Sequence, residues 1–336
     1  MKKLLLIAAA CVALAGCANN EIDTLEQQGE QIGYQTVLSL QQNNRAEMTA
    51  FTTSDSFVAS GWVVPAGNTY PTGAGLYIDR QTVVYGTYMA STWTTATAYY
   101  WPAEGTMTFF AHSPVSVASS WDGNTYTSPF DIGTTTGDAQ VDLLVADVQN
   151  GRNYANSGTT GVPVAFGHKL TKVSFTAGVA KPQTGVTYAL ESVVLKGVGK
   201  TSTFTQSNNG TTTTEAWATP ATSSDYTVFS GDLAVSADLS IVSPTPDEVT
   251  TTKTLFIPHT FSDTASLVVT YVRTTNLGGV SSSVEVQKEV LLKDISTKWN
   301  INSHVTYCLS IGFVPQIIWE QPTLNTWATE TYTVSI

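Results

Sequence analysis

The residues of this chain that could do chemistry are few and widely spaced. Its four histidines are His112, His168, His259 and His304. No two of them stand at the spacing of a metal-binding pair such as H-E-x-x-H. The sequence has no G-x-S-x-G motif, P-loop or dinucleotide-binding glycine motif, and its scattered carboxylates single out no glycosidase pair. It therefore predicts no catalytic residue, no metal and no cofactor.

One cysteine, Cys17, stands where it could be lipidated. Residues 4–14 form an apolar run behind a basic start, which is typical of a secretory signal and too short for a membrane span of ~20 residues. Ala15 and Gly16 follow, and the stretch resembles the lipobox of bacterial lipoproteins, where the signal is cut before the cysteine. We expect residues 1–16 to be a signal peptide and lipid on Cys17 to anchor the mature protein. The alternative is an ordinary signal peptide in which Cys17 is incidental.

The composition points to a soluble, surface-exposed β protein. Only 12% of the 336 residues are charged, the net charge is −11, and threonine, valine and tyrosine, which favour strands, are abundant. This acidity argues against nucleic acid as a partner. Cys308 is the only cysteine downstream of Cys17, so the mature chain has no internal disulfide and relies on its hydrophobic cores. The length predicts two domains, since single cores stop growing near ~250–300 residues.

Strand patterns must position any functional residue, because no amphipathic helix of any length is evident. They recur about every 8–15 residues with turn residues between them, which is typical of antiparallel β-sandwiches. We expect a flexible tether over residues 17–33 and domains over residues 34–158 and 159–336. Hairpins are predicted at Asp122-Gly123, Gly278-Gly279 and Asp79-Arg80.

Besides the lipobox, the sequence carries an ordered set of short phrases: Asn44-Arg45-Ala46, Tyr100-Trp101-Pro102, Phe109-Phe110-Ala111-His112-Ser113-Pro114, Asp142-Leu143-Leu144-Val145-Ala146, residues 166–175, Leu255-Phe256-Ile257-Pro258, Trp299 with Tyr307, and Trp319 with Trp327. In this order, the phrases resemble the fimbrillin family of Bacteroidales, the lipoprotein pilin precursors of type V pili. One departure is Asn302-Ser303-His304, where the family usually has a glycine.

The resemblance implies both a fold and a role. The fold would be two tandem transthyretin-like, Greek-key β-sandwich domains after a lipoprotein signal peptide. The protein would be anchored in the outer membrane, displayed on the cell surface, and polymerised with other fimbrial subunits by strand exchange. It would serve adhesion as part of a fimbrium, without enzymatic activity.

Arg45 is the position at which maturation is expected. It lies in a polar link just past the first predicted strand, and such links are where proteases enter a chain. By resemblance, an Arg-specific protease cuts between Arg45 and Ala46. The cut would release a strand and leave unpaired backbone over an apolar groove. The displaced residues would be Val37, Leu38 and Leu40. The alternative is an ordinary solvated arginine.

The C-terminal segment is the candidate donor for that groove. Tyr332, Val334 and Ile336 alternate along one face, so the segment could add a strand to another subunit. An edge strand within its own chain fits the same alternation.

The alternative function is a non-polymerising surface lipoprotein that binds a glycan or another host ligand. An aromatic cluster could form a sugar-stacking platform, although such residues more often form a core. A hydrolase is a third reading, for which the sequence offers no nucleophile or metal motif. The cluster consists of Tyr99, Tyr100, Trp101, Phe109 and Phe110.

Overall fold

A computed structural model describes residues 30–37, 51–87, 92–250, 254–312, 324–325 and 327–335. Their regular secondary structure is almost all strand, as the composition predicts. The predicted sites at Cys17, Leu38, Leu40, Arg45, Ala46 and Ile336 lie outside the described residues. In the part of the chain that is described, no helix is long and apolar enough to cross a bilayer.

The strands in chain order are β1 (Tyr34–Val37), β2 (Ser56–Val64), β3 (Gly75–Tyr85), β4 (Trp93–Thr95), β5 (Thr106–Ser113), β6 (Ser120–Trp121), β7 (Thr125–Asp131), β8 (Leu144–Ala146), β9 (Gln149–Arg152), β10 (Val162–His168), β11 (Thr171–Val179), β12 (Val186–Asn208), β13 (Thr213–Trp217), β14 (Thr222–Val235), β15 (Asp247–Glu248), β16 (Thr254–Phe256), β17 (Ser266–Leu277), β18 (Val280–Leu291), β19 (Ser303–Ile311), β20 (Leu324–Asn325) and β21 (Trp327–Ser335). Two short helices are α1 (Tyr154–Ser157) and α2 (Leu292–Ile295), and a 3-10 turn spans Gly137–Ala139.

The first sheet has eight strands in the order β2-β3-β4-β1-β10-β8-β5-β9. Because β2 also pairs with β5, the sheet closes into a ring of strands. β1 is one strand of this ring, between β4 and β10. The pairing of β2 with β5 covers the backbone edges that these two strands would otherwise leave open. Its interior holds an aromatic core that includes Phe57, Trp93, Phe109 and Phe166.

The second core lies between a six-stranded and a seven-stranded sheet. The six-stranded sheet runs β15-β11-β19-β21-β20, with β16 also on β11. The seven-stranded sheet runs β18-β17-β12-β7-β6, with β13 and β14 also on β12. Phe175 and Tyr307 stack at 5.4 Å in this core, and the Trp299 indole nitrogen donates to the Tyr307 hydroxyl at 2.9 Å.

Strand pairing does not follow the predicted boundary between residues 158 and 159. β7, before the boundary, pairs with β12 from Thr201↔Asp131 to Ser207↔Thr125. β10, after the boundary, pairs with β1 and β8 in the closed sheet. The division into two domains stays a prediction, and each core takes a strand from the other side of the boundary.

Two of the three predicted hairpins are confirmed, and the third is wrong. β6 and β7 flank Asp122-Gly123, and β17 and β18 flank Gly278-Gly279. At Asp79-Arg80, β3 instead continues as one strand, because Arg80 takes a φ of 45° and the register against β2 shifts between Ala59 and Gly61. The polar pair therefore marks a bulge, which inserts a residue without reversing the strand.

The departure at Asn302 is accommodated by its backbone. Asn302 has a φ of 54°, in the left-handed region that favours glycine and that asparagine also tolerates. Its backbone N–H donates to the Leu170 carbonyl at 3.2 Å, directly before β19 begins. The local turn is therefore made by asparagine.

Candidate functional site

β1 is held in the closed sheet chiefly by one neighbour. It runs parallel to β10 from Tyr34↔Val162 to Val37↔Ala165, whereas it meets β4 only at Tyr34↔Trp93. Two further bonds fix its entry: the Val162 N–H donates to the Gly33 carbonyl, and the Ile32 N–H donates to the Tyr99 carbonyl, both at 2.8 Å. β1 is therefore joined to the rest of the sheet by few residue pairs.

Two side chains anchor this segment in the first core. Ile32 is 1% exposed and Tyr34 is 3% exposed. The Tyr34 ring meets Phe57 and Phe109 edge to face, with centroids 5.8 and 5.9 Å apart. Residues 30–33, which the sequence assigned to a flexible tether, thus belong to the fold. The alternation of Ile32, Tyr34 and Thr36 was the signal that would have shown this.

The Tyr34 hydroxyl is buried without a hydrogen-bond partner among the described atoms. Burial raises the pKa of Tyr34, so the hydroxyl stays protonated. Leaving a buried hydroxyl unsatisfied costs ~1–3 kcal/mol. The slot that β1 occupies therefore does not suit β1 fully.

Gly161 lets its backbone approach β1 closely. A Cβ on Gly161 would lie 2.9 Å from the Tyr34 carbonyl carbon, and Gly161 also has a φ of 83°. On the segment that enters β1, a Cβ on Gly33 would lie 2.8 Å from the Thr92 methyl carbon. Any strand that replaces β1 must pass close to Gly161.

A groove of about 780 Å³ lies alongside β1 where β4 no longer pairs with it. Gln35 and Thr36 of β1 line one part of the groove, and Tyr85, Trp93 and Tyr100 line another. Among the described residues, no strand therefore pairs with this side of β1 beyond Tyr34. This arrangement suits a strand that leaves the sheet sideways.

The terminal strand β21 lies in the second core of its own chain. It runs parallel to β19 from Ser303↔Ala328 to Ser310↔Ser335, and β20 covers only its first residues. Beyond Ala328, no described strand pairs with its outer edge. Val334 is 2% exposed, and Tyr332 stacks on Tyr307 at 5.8 Å. The segment is an edge strand here, and its role as a donor stays a prediction.

The aromatic cluster is mainly core. Trp101, Phe109 and Phe110 are buried, whereas Tyr99 and Tyr100 are partly buried. Phe110 packs against Trp62 and Trp121 beside the closed sheet. No sugar platform is formed by the three buried rings.

The histidines serve structural contacts. His168 and Asp142 form a buried pair with 2.6 Å between Nδ1 and Oδ2. His112 is 3% exposed, and its Nε2 lies 3.3 Å from the Val117 carbonyl. Across the described ranges, no cluster of three or more histidine, cysteine or acidic residues could hold a metal ion.

Comparison with known proteins adds to this geometry. The chain is similar to a fimbrial protein from Bacteroides vulgatus ATCC 8482, with 15% identity and a TM-score of 0.61 over 84% of this chain and 94% of that one. It is also similar to a candidate cell adhesion protein from Bacteroides uniformis ATCC 8492, with 14% identity and a TM-score of 0.46 over 83% of this chain and 91% of that one. At 15% identity, the similarity to the fimbrial protein concerns the fold alone.

No curated protein sequence matches the chain. The sequence pattern of the fimbrillin-like family, however, matches residues 44–327, well over half of the 336 residues. That match covers strands of both cores, from β2 to the start of β21. The chain belongs to the fimbrillin-like family.

Proposed function

We propose that this chain is a structural subunit of a cell-surface fimbrium that polymerises by β-strand exchange and supports adhesion. Its family and its similarity to a fimbrial protein make it a pilin-like structural protein, not an enzyme. The proposal adds export as an outer-membrane lipoprotein through Cys17, cleavage after Arg45 by an Arg-specific protease, and assembly with other fimbrial subunits.

The position of β1 in the closed sheet carries the proposal. Cleavage after Arg45 would detach β1 together with Ile32 and Tyr34. The ring would then open between β4 and β10, with unpaired backbone on both strands and with Phe57 and Phe109 uncovered. A strand from a second copy would restore both the ladder and the core, which is β-strand addition.

The side chains favour replacement of β1 over its return. Ile32, directly before β1, and Tyr34 are buried, and with Thr36 they alternate as Tyr332, Val334 and Ile336 do in the candidate donor. An apolar side chain from a second copy at the place of Tyr34 would remove the unsatisfied hydroxyl, a gain of ~1–3 kcal/mol. To donate, β21 must leave β19, the neighbour along most of its length.

The N-terminal sequence of protein extracted from the cell surface tests the proposal. We expect Ala46 as the first residue of assembled protein and a blocked Cys17 in its precursor. Arg45→Lys should stop maturation by an Arg-specific protease, whereas the control Arg80→Lys, on an exposed bulge, should mature normally. Assembled fimbriae that keep Cys17 at the N-terminus would contradict the mechanism.

A further inference from the structure

A second groove lies on the other core, away from β1. It has a volume of about 430 Å³, which is within the ~300–1,000 Å³ of small-molecule sites. Three segments form it: residues 217–220 at the end of β13, residues 258–260 after β16, and residues 298–301 before β19. Aromatic, proline, hydroxyl, amide and ammonium groups therefore meet in one place.

The aromatic wall is fixed in orientation. The Trp217 indole nitrogen donates to the Lys169 carbonyl at 2.7 Å. The ring also meets Phe130 and Phe204, with centroids 5.9 and 5.4 Å apart, yet it stays partly exposed where it lines the groove. A partly exposed, immobilised indole offers apolar area at little cost in conformational entropy.

The opposite wall is tied together by His259. Its Nε2 accepts from the Gly199 N–H at 3.2 Å, and its Nδ1 then donates to the Ile257 carbonyl at 2.7 Å. The backbone N–H of Trp299 donates to the backbone carbonyl of His259 at 3.0 Å, and this bond joins the second and third segments. The groove is therefore preformed by backbone and ring contacts.

One lysine, Lys298, stands at the rim. It is exposed and lines the groove, and none of the ion pairs among the described residues involves it. The described residues that line the groove include no aspartate or glutamate, although the whole chain carries a net charge of −11. Thr219, Thr260 and Asn300 supply hydroxyl and amide groups beside it.

We propose that this groove binds an acidic saccharide. The apolar face of a pyranose ring packs against Trp217, its hydroxyls meet the threonine and asparagine side chains, and its carboxylate pairs with Lys298. An aromatic wall with a few placed polar groups is the usual composition of a small-ligand site. The proposal is independent of strand exchange, because none of the described residues that line this groove belongs to β1 or β21.

The test uses two probes that differ only in the carboxylate: methyl β-glucuronide and methyl β-glucoside. Saturation-transfer NMR titrations with the purified protein should show millimolar binding of the glucuronide. Binding of the glucoside should be about fivefold weaker, which is the effect of one exposed ion pair. Lys298→Gln should remove that preference, whereas the matched control Lys288→Gln, on the exposed strand β18, should keep it.

A second variant fills the groove and leaves the core unchanged. Ala218 is exposed and lines the groove, so Ala218→Phe should abolish binding of both sugars with the melting temperature preserved. No saturable binding of either sugar to the wild-type protein would overturn the proposal. So would equal binding of the two sugars, or an unchanged preference in Lys298→Gln.

Discussion

Tyr34→Phe should make the precursor more stable, because it removes a hydroxyl that is buried without a hydrogen-bond partner among the described residues. The ring contacts with Phe57 and Phe109 remain, so the packing of the core is kept. The expected gain in the free energy of unfolding is ~1–3 kcal/mol. The same change should slow the release of β1 after cleavage and therefore delay assembly.

Tyr226→Phe is the matched control with the opposite sign. Tyr226 is 1% exposed, but its hydroxyl donates to the Gly133 carbonyl at 2.8 Å. Removing that donor should cost about 1 kcal/mol or more. Guanidinium unfolding of both variants beside the wild type measures the two changes, read from the midpoints at unchanged slope.

Suppose instead that Tyr34→Phe unfolds at or below the wild-type midpoint while Tyr226→Phe shows its expected loss. In that case the Tyr34 hydroxyl would have a partner, and the slot would suit β1 as it stands. Replacement of β1 would then bring no gain in free energy at this position.

Two further predictions concern the C-terminus and pH. Deleting residues 332–336 should leave a folded monomer that forms no ladders on a gel, and its melting temperature should be lower because buried Val334 is lost. The control Thr333→Ala, on the outer face, should polymerise normally. Ladders from the truncated protein would exclude β21 as donor. Burial lowers the pKa of His112 from 6.5 to about 4, so only the unfolded chain takes up a proton as pH falls from 6.5 towards 4. His112 therefore does not lower the free energy of unfolding above pH 6.5, whereas by pH 4 it has lowered it by roughly 3 kcal/mol. Unfolding measured at pH 7 and pH 4.5 should show this loss, and a His112→Gln variant with an equal loss would contradict it.

Short sequence patterns correctly predicted part of the fold. Asp122-Gly123 and Gly278-Gly279 supply the positive φ values that hairpin turns need, and both hairpins form. Val305, Tyr307, Leu309 and Ile311 alternate along the sequence as apolar residues on one face of a strand do, and all four are buried in β19. These signals are contained within a few neighbouring residues.

Asp79-Arg80 shows where local chemistry is ambiguous. Polar residues between two apolar runs fit a turn, but they also fit a bulge in a continuous strand. The pairing of β3 with β2 and β4 on either side decides between the two. Such pairing joins residues that are distant in the sequence.

By itself the sequence determined the all-β class, the two hairpins and the family. Which strands are neighbours was decided only by the tertiary structure: β1 lies beside β10, 128 positions further along the chain when Tyr34 is matched with Val162. The same holds for the second groove, whose three walls come from residues 217–220, 258–260 and 298–301. Alternation of apolar residues indicates which side chains of a strand face a core. It does not indicate which strand is the neighbour, because all strands share the same period of two. The choice of partner depends on how all strands together close their backbone hydrogen bonds and fill the interior.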